Sequence, residues 1–572
     1  MRRDLSGIGA SRGAALGRAR VRLPHALEVE KEHIEEHEVE AELARVHRAI
    51  DQVRDEMHRL RERLHGALAH EVGEFLDLHA LLLDDPELLQ GMDRYIRIKR
   101  YTADYALRQQ RDRIANVFLG MDDAYLRSRI DDIDQVIGRI HAALHQRDAE
   151  LQGIAGDILV TDAIAPAEVA QLQSQGVLAV VTTTGSALSH SAILARSLHL
   201  PLVVGATLAL QSLNDGDVIV VDGGSGVVIR EPDATDLAAH RGRVEDYKRE
   251  HRQLKRLRRE PTRTLDGNDI KLWANAESRE DVAEAHALGA AGVGLYRTEF
   301  LFLGTHKLPD EESQFRTYRD LVLGLTGRTA TIRTLDLGAD KADDTGLALR
   351  NEENPALGLR GIRLSMSRRE IFRTQLRAIL RASGYGPLRV LLPMISGREE
   401  IRAARALIDE VADELRSEGL AIAPHVPLGA MIEVPSAAIA LTTFIREVDF
   451  LSIGTNDLVQ YLLAADRNNE FLGDLYSPLH PALLRLLHDV LRTGKRHGKP
   501  VAICGEMAGD ASFTPLLLAL GLEEFSLHPG TLLEVRRAIR LVDLGQLRAQ
   551  ARGLLRAGDR AGIERWMRAN AP

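Results

Sequence analysis

Apolar residues recur three and four positions apart from about Glu28 to Gln146, as in VHRAIDQVRDEMHRLRERL, with charged residues between them. Pro86 is the only proline in that stretch and glycines are sparse, so the pattern predicts a helical domain. From Ile154 to Arg230 the texture changes to short apolar runs, DILVT, GVLAVVTT, PLVVG and DVIVVD, separated by Gly, Asp and Ser. This predicts strands with short helices between them. The opening stretch LSGIGASRGAALGRARV has the same texture and is a candidate to join that α/β domain across the helical insertion. Between Asp236 and Glu260 charge is dense and glycine nearly absent, and KREHRQLKRLRRE ends at Pro261. Interleaved acids and leucines at helical spacing predict a solvated linker helix stopped by the proline, hence a domain boundary.

Beyond Pro261 the chain carries eight strand-like runs, each followed by helical sequence: IKLWANA, GVGLYRT, ATIRTLD, RVLLPMI, LGAMIEV, DFLSIGT, PVAICGE and EEFSLHP. Alternation of this kind implies parallel strands with crossover helices, and eight such units close into a (β/α)8 barrel. No sequence repeat of fixed period is evident, which argues against a solenoid. A chain of 572 residues also exceeds what one core supports, so several domains are expected.

Charge narrows the function classes. A formal charge of -9 and a pI near 6.2 argue against a general nucleic-acid binder, and no aromatic stacking series accompanies the basic run before Pro261. The run from Glu28 to Glu42 holds eight glutamates against one lysine, with further acids at Glu74, Asp77, Asp84, Asp85 and Glu87. On charge alone it reads as a solvated helix face. Cys504 is the only cysteine, so neither an intramolecular disulfide nor a multi-cysteine metal site can form, and a reducing compartment fits best. The start lacks the apolar core of a signal peptide, and no apolar stretch is long enough to span a bilayer. A cytoplasmic protein with no membrane insertion is expected.

In a (β/α)8 barrel, active residues sit at the carboxyl ends of the strands. Unusual polar residues fall there: Arg297 and Glu299 end the second run, Arg333 and Asp336 the third, Glu433 the fifth, Asn456 and Asp457 the sixth, Cys504 and Glu506 the seventh. Charges serving stability alone would scatter over helix faces and both barrel ends. Arg297, Arg333, Arg360 and Arg467 offer fork-shaped cations suited to carboxylate and phosphate oxygens, so the site wants a small, highly charged anion. Glu433 and Asp457 are hard oxygen ligands of the kind magnesium uses. Ion pairs with the arginines would also account for them; their origin on separate strand ends favours the metal. A lone cysteine is more often a buried small hydrophobe, but at a strand end beside a cationic pocket Cys504 can offer a proton to a substrate carbon.

A second concentration of signal is TTTGSALSHSAILAR, Thr182 to Arg196. A strand-like run ends in threonines, turns through Gly185 and Ser186, and a helix begins near Ser189, which sets His190 at or beside its N-terminus. The positive end of the helix dipole disfavours imidazolium and would stabilise a phosphate carried on the ring. Without that context His190 would be read like the other histidines, as a surface or capping residue.

These motifs together resemble the enzyme I family of the phosphoenolpyruvate-dependent phosphotransferase system over nearly the whole chain. The run at His190 is similar to the family's phosphohistidine signature GGxTSHxxIxAR. EFLDLHALLLDDPEL, Glu74 to Leu88, resembles the helices that dock the carrier protein HPr, a partner for which an acidic surface is suited. GLYRTEFLF, TIRTLDLGADK, NPALGLRGIR, MIEVPSA, GTNDLVQYLLAADRNN and CGEMAGD resemble the substrate-site motifs in their expected order. The resemblance implies an α/β multidomain protein. Residues 1–25 and 147–232 form a phosphohistidine α/β domain, 26–146 an inserted helical HPr-binding domain and 233–260 a linker helix. Residues 261–572 form a phosphoenolpyruvate-binding (β/α)8 TIM barrel that also dimerises.

It implies further that His190 carries the phosphoryl group and that Cys504 is the proton donor. Arg297, Arg333, Asn456, Asp457 and Arg467 bind phosphoenolpyruvate, with Arg360 a further phosphate contact, and Glu433 and Asp457 hold Mg2+. Ser186 and Leu188 depart from the family's Gly and Thr, Arg12 from a proline, and Ala339 and Asn468 from glycines; none removes a group that does chemistry. A pyruvate phosphate dikinase or phosphoenolpyruvate synthase would need an ATP-binding domain, and nothing before His190 offers a glycine-rich phosphate loop. A regulatory scaffold without turnover is disfavoured by the intact motifs.

Overall fold

The chain divides into two units, Met1–His251 and Arg252–Pro572. The computed structural model describes residues 4–22, 31–63, 82–83, 85–119, 130–145, 154–164, 166–185, 190–198, 200–302, 308–338, 352, 354–466, 472 and 475–571.

In the first unit the opening stretch forms β1 (Asp4–Ser6), β2 (Ile8–Ser11) and β3 (Ala14–Val21). Helices α1 (Val39–Arg63), α2 (Pro86–Lys99), α3 (Ala103–Leu119) and α4 (Ile130–Leu144) follow. The apolar stripe read from the sequence is what α1 buries: Leu43, Val46, Ile50, Val53 and Met57 share one core with Met92, Ile96, Leu107 and Ile137. Asp85 caps α2, its side chain accepting from the Glu87 N–H, with Pro86 in the first turn where its missing N–H costs nothing.

The chain then returns to the sheet through β4 (Ile158–Thr161), α5 (Pro166–Ser174), β5 (Ala179–Thr182), α6 (His190–Ser197), β6 (Leu202–Val204), β7 (Val218–Asp222) and β8 (Val227–Arg230). The strand order is β1-β8-β7-β3-β4-β5-β6-β2. β3 to β6 run parallel, while β1, β2, β7 and β8 pair antiparallel with their neighbours. The opening residues thus supply both edges and one central strand. Residues of β4 and β5 are buried throughout, as expected of strands covered on both faces. Helix α7 (Ala234–Arg256) follows the sheet, and the division between units falls inside it.

The second unit is a closed barrel of eight parallel strands. They are β9 (Lys271–Ala276), β10 (Gly292–Tyr296), β11 (Thr329–Arg333), β12 (Leu388–Leu392), β13 (Leu428–Ile432), β14 (Phe450–Ile453), β15 (Val501–Ile503) and β16 (Glu524–Leu527). Each coincides with one of the eight predicted runs, and the expected α/β multidomain class with a (β/α)8 barrel is what the chain adopts. Leu295, Leu391, Met431, Phe450 and Cys504 form a small apolar cluster of their own, separate from the large core between strands and helices. The Arg389 guanidinium lies over the rings of Trp273 and Phe450, 4.8 and 4.4 Å from their centroids, and donates to Thr331 Oγ1 at 2.8 Å. Among the described residues no helix is long and apolar enough to cross a membrane.

Candidate functional site

Strand ends set the positions of the polar groups at the carboxyl face of the barrel. Arg297 is the first residue past β10, Arg333 the last of β11, and Glu433 the first past β13. Asn456 and Asp457 lie in the first turn of α8 (Thr455–Leu463), which follows β14, and Cys504 follows β15. Arg360 comes from the segment between β11 and β12. Arg467 lies outside the described residues, as do Ala339 and Asn468.

Three carboxylates from three of these connections meet. Asp336, Glu433 and Asp457 each bring an oxygen within 4.8 Å of the others. Glu433 is 1% exposed and Asp336 8%. Buried carboxylates this close repel unless cations or protons intervene. Asp336 is neutralised by arginine, with Arg360 Nη2 at 3.0 Å and Arg333 Nη1 at 3.1 Å. Burial would raise its pKa, but Arg360 and Arg333 hold it below the usual carboxylate range. For Glu433 the same two arginines give only partial relief. Burial, with Asp336 and Asp457 beside it, pushes its carboxyl up to about 8. Its Oε1 accepts the Met394 N–H at 2.5 Å, and Met394 sits at φ 56, a left-handed conformation uncommon for a non-glycine residue.

Each of the site's three described arginines, Arg297, Arg333 and Arg360, already holds a carboxylate. Arg333 reaches Glu299 at 3.1 Å with its side chain 12% exposed; burial opposes the charge, yet Glu299 and Asp336 raise its pKa above the ordinary value. Arg360 bridges Asp336 to Asp457 Oδ2 at 3.3 Å and donates to the Tyr461 hydroxyl. Arg297 pairs with Glu277 and is 44% exposed. Among the described residues, three guanidinium groups therefore face five carboxylates, Glu277, Glu299, Asp336, Glu433 and Asp457. The all-oxygen trio suits a hard divalent cation.

Asn456 is held by a reciprocal pair with Glu506: its Nδ2 donates to Oε1 at 3.0 Å and its Oδ1 accepts the Glu506 N–H at 2.9 Å. Cys504 is 5% exposed, with Sγ 3.5 Å from the Ile453 carbonyl oxygen. Burial pushes its thiol pKa up, which keeps the proton on sulfur. Glycine at 505 lets this loop lie against α8, since a Cβ there would meet Thr455 Oγ1 at 1.9 Å.

The proton on Glu433 yields a stability expectation. A folded-state pKa raised above the unfolded value of about 4.3 means the native state binds the proton more tightly. That contribution is complete below the unfolded value and is lost as pH rises through the folded one. In the absence of divalent cations, thermal stability should therefore decline between about pH 5 and 8. The decline should be smaller in Glu433→Gln or with saturating Mg2+, as differential scanning calorimetry can check.

In the first unit α6 begins at His190, one residue after the predicted start. The His190 side chain, Ser186 and Leu188 lie outside the described residues. The surrounding turn is pinned: the Thr183 hydroxyl donates to the Asp162 carboxylate and that of Thr184 to the Asp162 carbonyl at 2.9 Å, while Gly185 takes φ 104. Beyond the turn, the Ser191 hydroxyl donates to the Ile164 carbonyl at 2.7 Å, and Arg196 Nη1 to the Ala10 carbonyl at 2.9 Å.

Most of the stretch from Glu74 to Leu88 lies outside the described residues. The glutamate run before it is more than a solvated face. Glu40 pairs with Arg97 and Glu36 with Arg100, and Glu42 accepts the Ala103 N–H at 2.7 Å at the start of α3.

Sequence reasoning placed Asp336 at a strand end without giving it a role, and passed over Glu277, Met394 and Tyr461. Of these, Tyr461 carried a usable signal, lying four residues after Asp457 and so on the same face of α8.

Comparison with known proteins matches all three parts of the chain. Residues 251–544 match the family described as PEP-utilising enzyme, PEP-binding domain. Residues 6–129 match the PEP-utilising enzyme N-terminal family, and 153–226 the PEP-utilising enzyme mobile domain. The phosphoenolpyruvate-protein phosphotransferase of Cupriavidus necator is 44% identical over 548 residues, covering 94% of each chain. Proteins of the same name from Priestia megaterium and Geobacillus stearothermophilus are 39% and 40% identical, each over 94% of this chain and 94% and 93% of their own.

Proposed function

The chain belongs to the phosphoenolpyruvate-protein phosphotransferases, and from that premise we propose that it moves the phosphoryl group of phosphoenolpyruvate to His190 and then to a histidine of HPr or a nitrogen-branch paralogue, releasing pyruvate. This is the first step of the phosphotransferase system. The observation that carries the proposal is the convergence of Arg297, Arg333 and Arg360 with Glu433 and Asp457 at one end of the barrel.

In this reading Arg297, Arg333, Asn456, Asp457 and Arg467 bind phosphoenolpyruvate, and Arg360 is a further phosphate contact. The carboxylate partners of Arg297, Arg333 and Arg360 orient those guanidinium forks before substrate arrives. Glu433 and Asp457 would hold Mg2+, and the proton that Glu433 retains marks a place where a cation is favoured. Bound there, Mg2+ supplies Lewis-acid polarisation of phosphoryl and enolate oxygens, typically several kcal/mol. His190 attacks phosphorus, forming the N–P bond as the bond from phosphorus to the enolate oxygen breaks. Cys504 gives its proton to the enolate carbon to make pyruvate, and water restores the thiol. Phosphorylated His190 then passes its group to HPr docked on the helical domain.

The domain assignment, a homodimer formed through the barrel and a cytoplasmic location belong to the same proposal. The full chain with phosphoenolpyruvate, Mg2+ and HPr should release pyruvate and phosphorylate HPr. A fragment ending at Glu260 should exchange phosphate with phosphorylated HPr yet fail to use phosphoenolpyruvate. Reaction of the fragment with phosphoenolpyruvate would remove the barrel from the mechanism, and failure to exchange with HPr would remove the docking assignment.

A further inference from the structure

We propose that Asp104, His141 and His145 bind a divalent transition-metal ion, Zn2+ foremost, on the helical part of the first unit. Among the described residues only two groups of three ligand-bearing side chains bring one donor atom each within 4.8 Å of the others; the first is the barrel trio and the second is this one. His141 lies in the last turn of α4 and His145 immediately follows the helix, its N–H donating to the His141 carbonyl at 3.3 Å. Helical geometry therefore continues across the pair, and residues four apart stack on one face. Their ring centroids are 4.7 Å apart.

Asp104 faces them from the first turn of α3. His145 Nε2 lies 2.8 Å and His141 Nε2 3.5 Å from the same oxygen, Asp104 Oδ1. Two imidazoles aimed by the same nitrogen at one carboxylate oxygen define a common point. Tetrahedral Zn2+ with ligand distances of about 2.0–2.1 Å separates its donor atoms by roughly 3.3 Å, a value that the two nitrogen–oxygen distances bracket, and the two nitrogens lie within 4.8 Å of each other. The other carboxylate oxygen is held by Arg45 Nη2 at 3.4 Å, and Arg45 is in turn paired with Glu42 at 3.0 Å. Such outer partners orient a ligating carboxylate, and Glu42 offsets the guanidinium charge.

Two imidazoles and one carboxylate favour Zn2+, Co2+, Ni2+ or Cu2+ over Mg2+. The barrel trio, all oxygen, has the opposite preference, so the two sites can be addressed separately. Asp104 and His141 are 14% and 13% exposed at the side chain and His145 35%, which shields the ion on one side and leaves a fourth position open to water. An ion there would clamp α3 to α4.

The test is calorimetric titration of the chelator-stripped full chain with ZnCl2, in excess Mg2+ and without phosphoenolpyruvate. The expected result is saturable binding in the micromolar range or tighter. His145→Ala and Asp104→Asn should each weaken it by at least about 10-fold, the least that loss even of an outer partner costs. Glu433→Gln should bind Zn2+ like the parent, and His145→Ala should keep Mg2+-dependent labelling by phosphoenolpyruvate. Co2+ should give the intense visible bands of tetrahedral coordination in the parent and lose them in both site variants. His145 is the most exposed of the three, and Asp104→Asn preserves side-chain size, so two independent folded variants are available. Zn2+ binding insensitive to both substitutions, or no saturable binding, would overturn the proposal.

Discussion

Incubated with phosphoenolpyruvate and Mg2+, the His190→Ala protein should take up no acid-labile phosphate, whereas the parent chain labels stoichiometrically. His190 is the first residue of α6, where the helix presents N–H groups with no intrahelical partner and the positive end of its dipole. A phosphoryl group carried from that position, as proposed, would be stabilised by both. Alanine is a better helix former than histidine, so α6 should persist. The contacts described around the turn belong to other residues: Thr183 and Thr184 to Asp162, Ser191 to Ile164, and Arg196 to Ala10. Circular dichroism should therefore be unchanged while labelling falls to background in the mass spectrum. A barrel reaction that does not need the acceptor, exchange of pyruvate methyl protons with solvent deuterium, should survive. Retained labelling would mean that a different histidine carries the phosphate.

The barrel was legible because its signal is local. Each strand is a short apolar run, and β9 to β16 all fall on runs that the pattern marks. The strand-end position of Arg297, Arg333, Glu433 and Cys504 follows from the same periodicity. Contacts across connections were not legible. Asp336 and Arg360 are 24 residues apart in sequence, yet their side chains meet, and no spacing rule reports that. The same holds for Asp104, whose histidine partners lie at the end of another helix and just past it. Sheet order in the first unit was only partly readable. The glycine-rich opening signalled strands, but that β1 and β2 would take opposite edges is decided by pairing with β8 and β6, far along the chain. The glutamate run shows how tertiary context overrides a charge pattern. Glu42 was read with its neighbours as solvated, yet it accepts the first N–H of α3 and holds Arg45.

Cys504→Ala should lower net turnover by about 10²–10⁴-fold, the contribution typical of a general acid. The competing account is packing, and the surroundings of the thiol make it a serious one, since Cys504 is buried against Leu295, Leu391, Met431 and Phe450. If the sulfur only fills space, its loss should cost about 1 kcal/mol of stability, as a small core truncation does, and turnover per folded molecule would survive. Burial has a second consequence that packing does not need. It holds the thiol in its protonated form, at the same end of the barrel at which Arg333 and Glu433 leave their own strands. A group that keeps its proton until a carbanion is presented is what protonation of an enolate carbon requires. Removing it leaves phosphoryl transfer to His190 possible but obliges enolpyruvate to take its proton from water, so a first, labelling turnover should be less affected than steady-state pyruvate formation. Phosphoenolpyruvate affinity should change little, because the thiol is not among the groups proposed to bind phosphate or cation. The separating measurement is deuterium incorporation at the methyl carbon of pyruvate incubated with the unphosphorylated enzyme and Mg2+. Proton transfer is the only chemistry in that exchange, so it should collapse in Cys504→Ala while calorimetry records the small loss of stability. Exchange at the parent rate would leave Cys504 a packing residue and assign the proton to another donor at the barrel mouth.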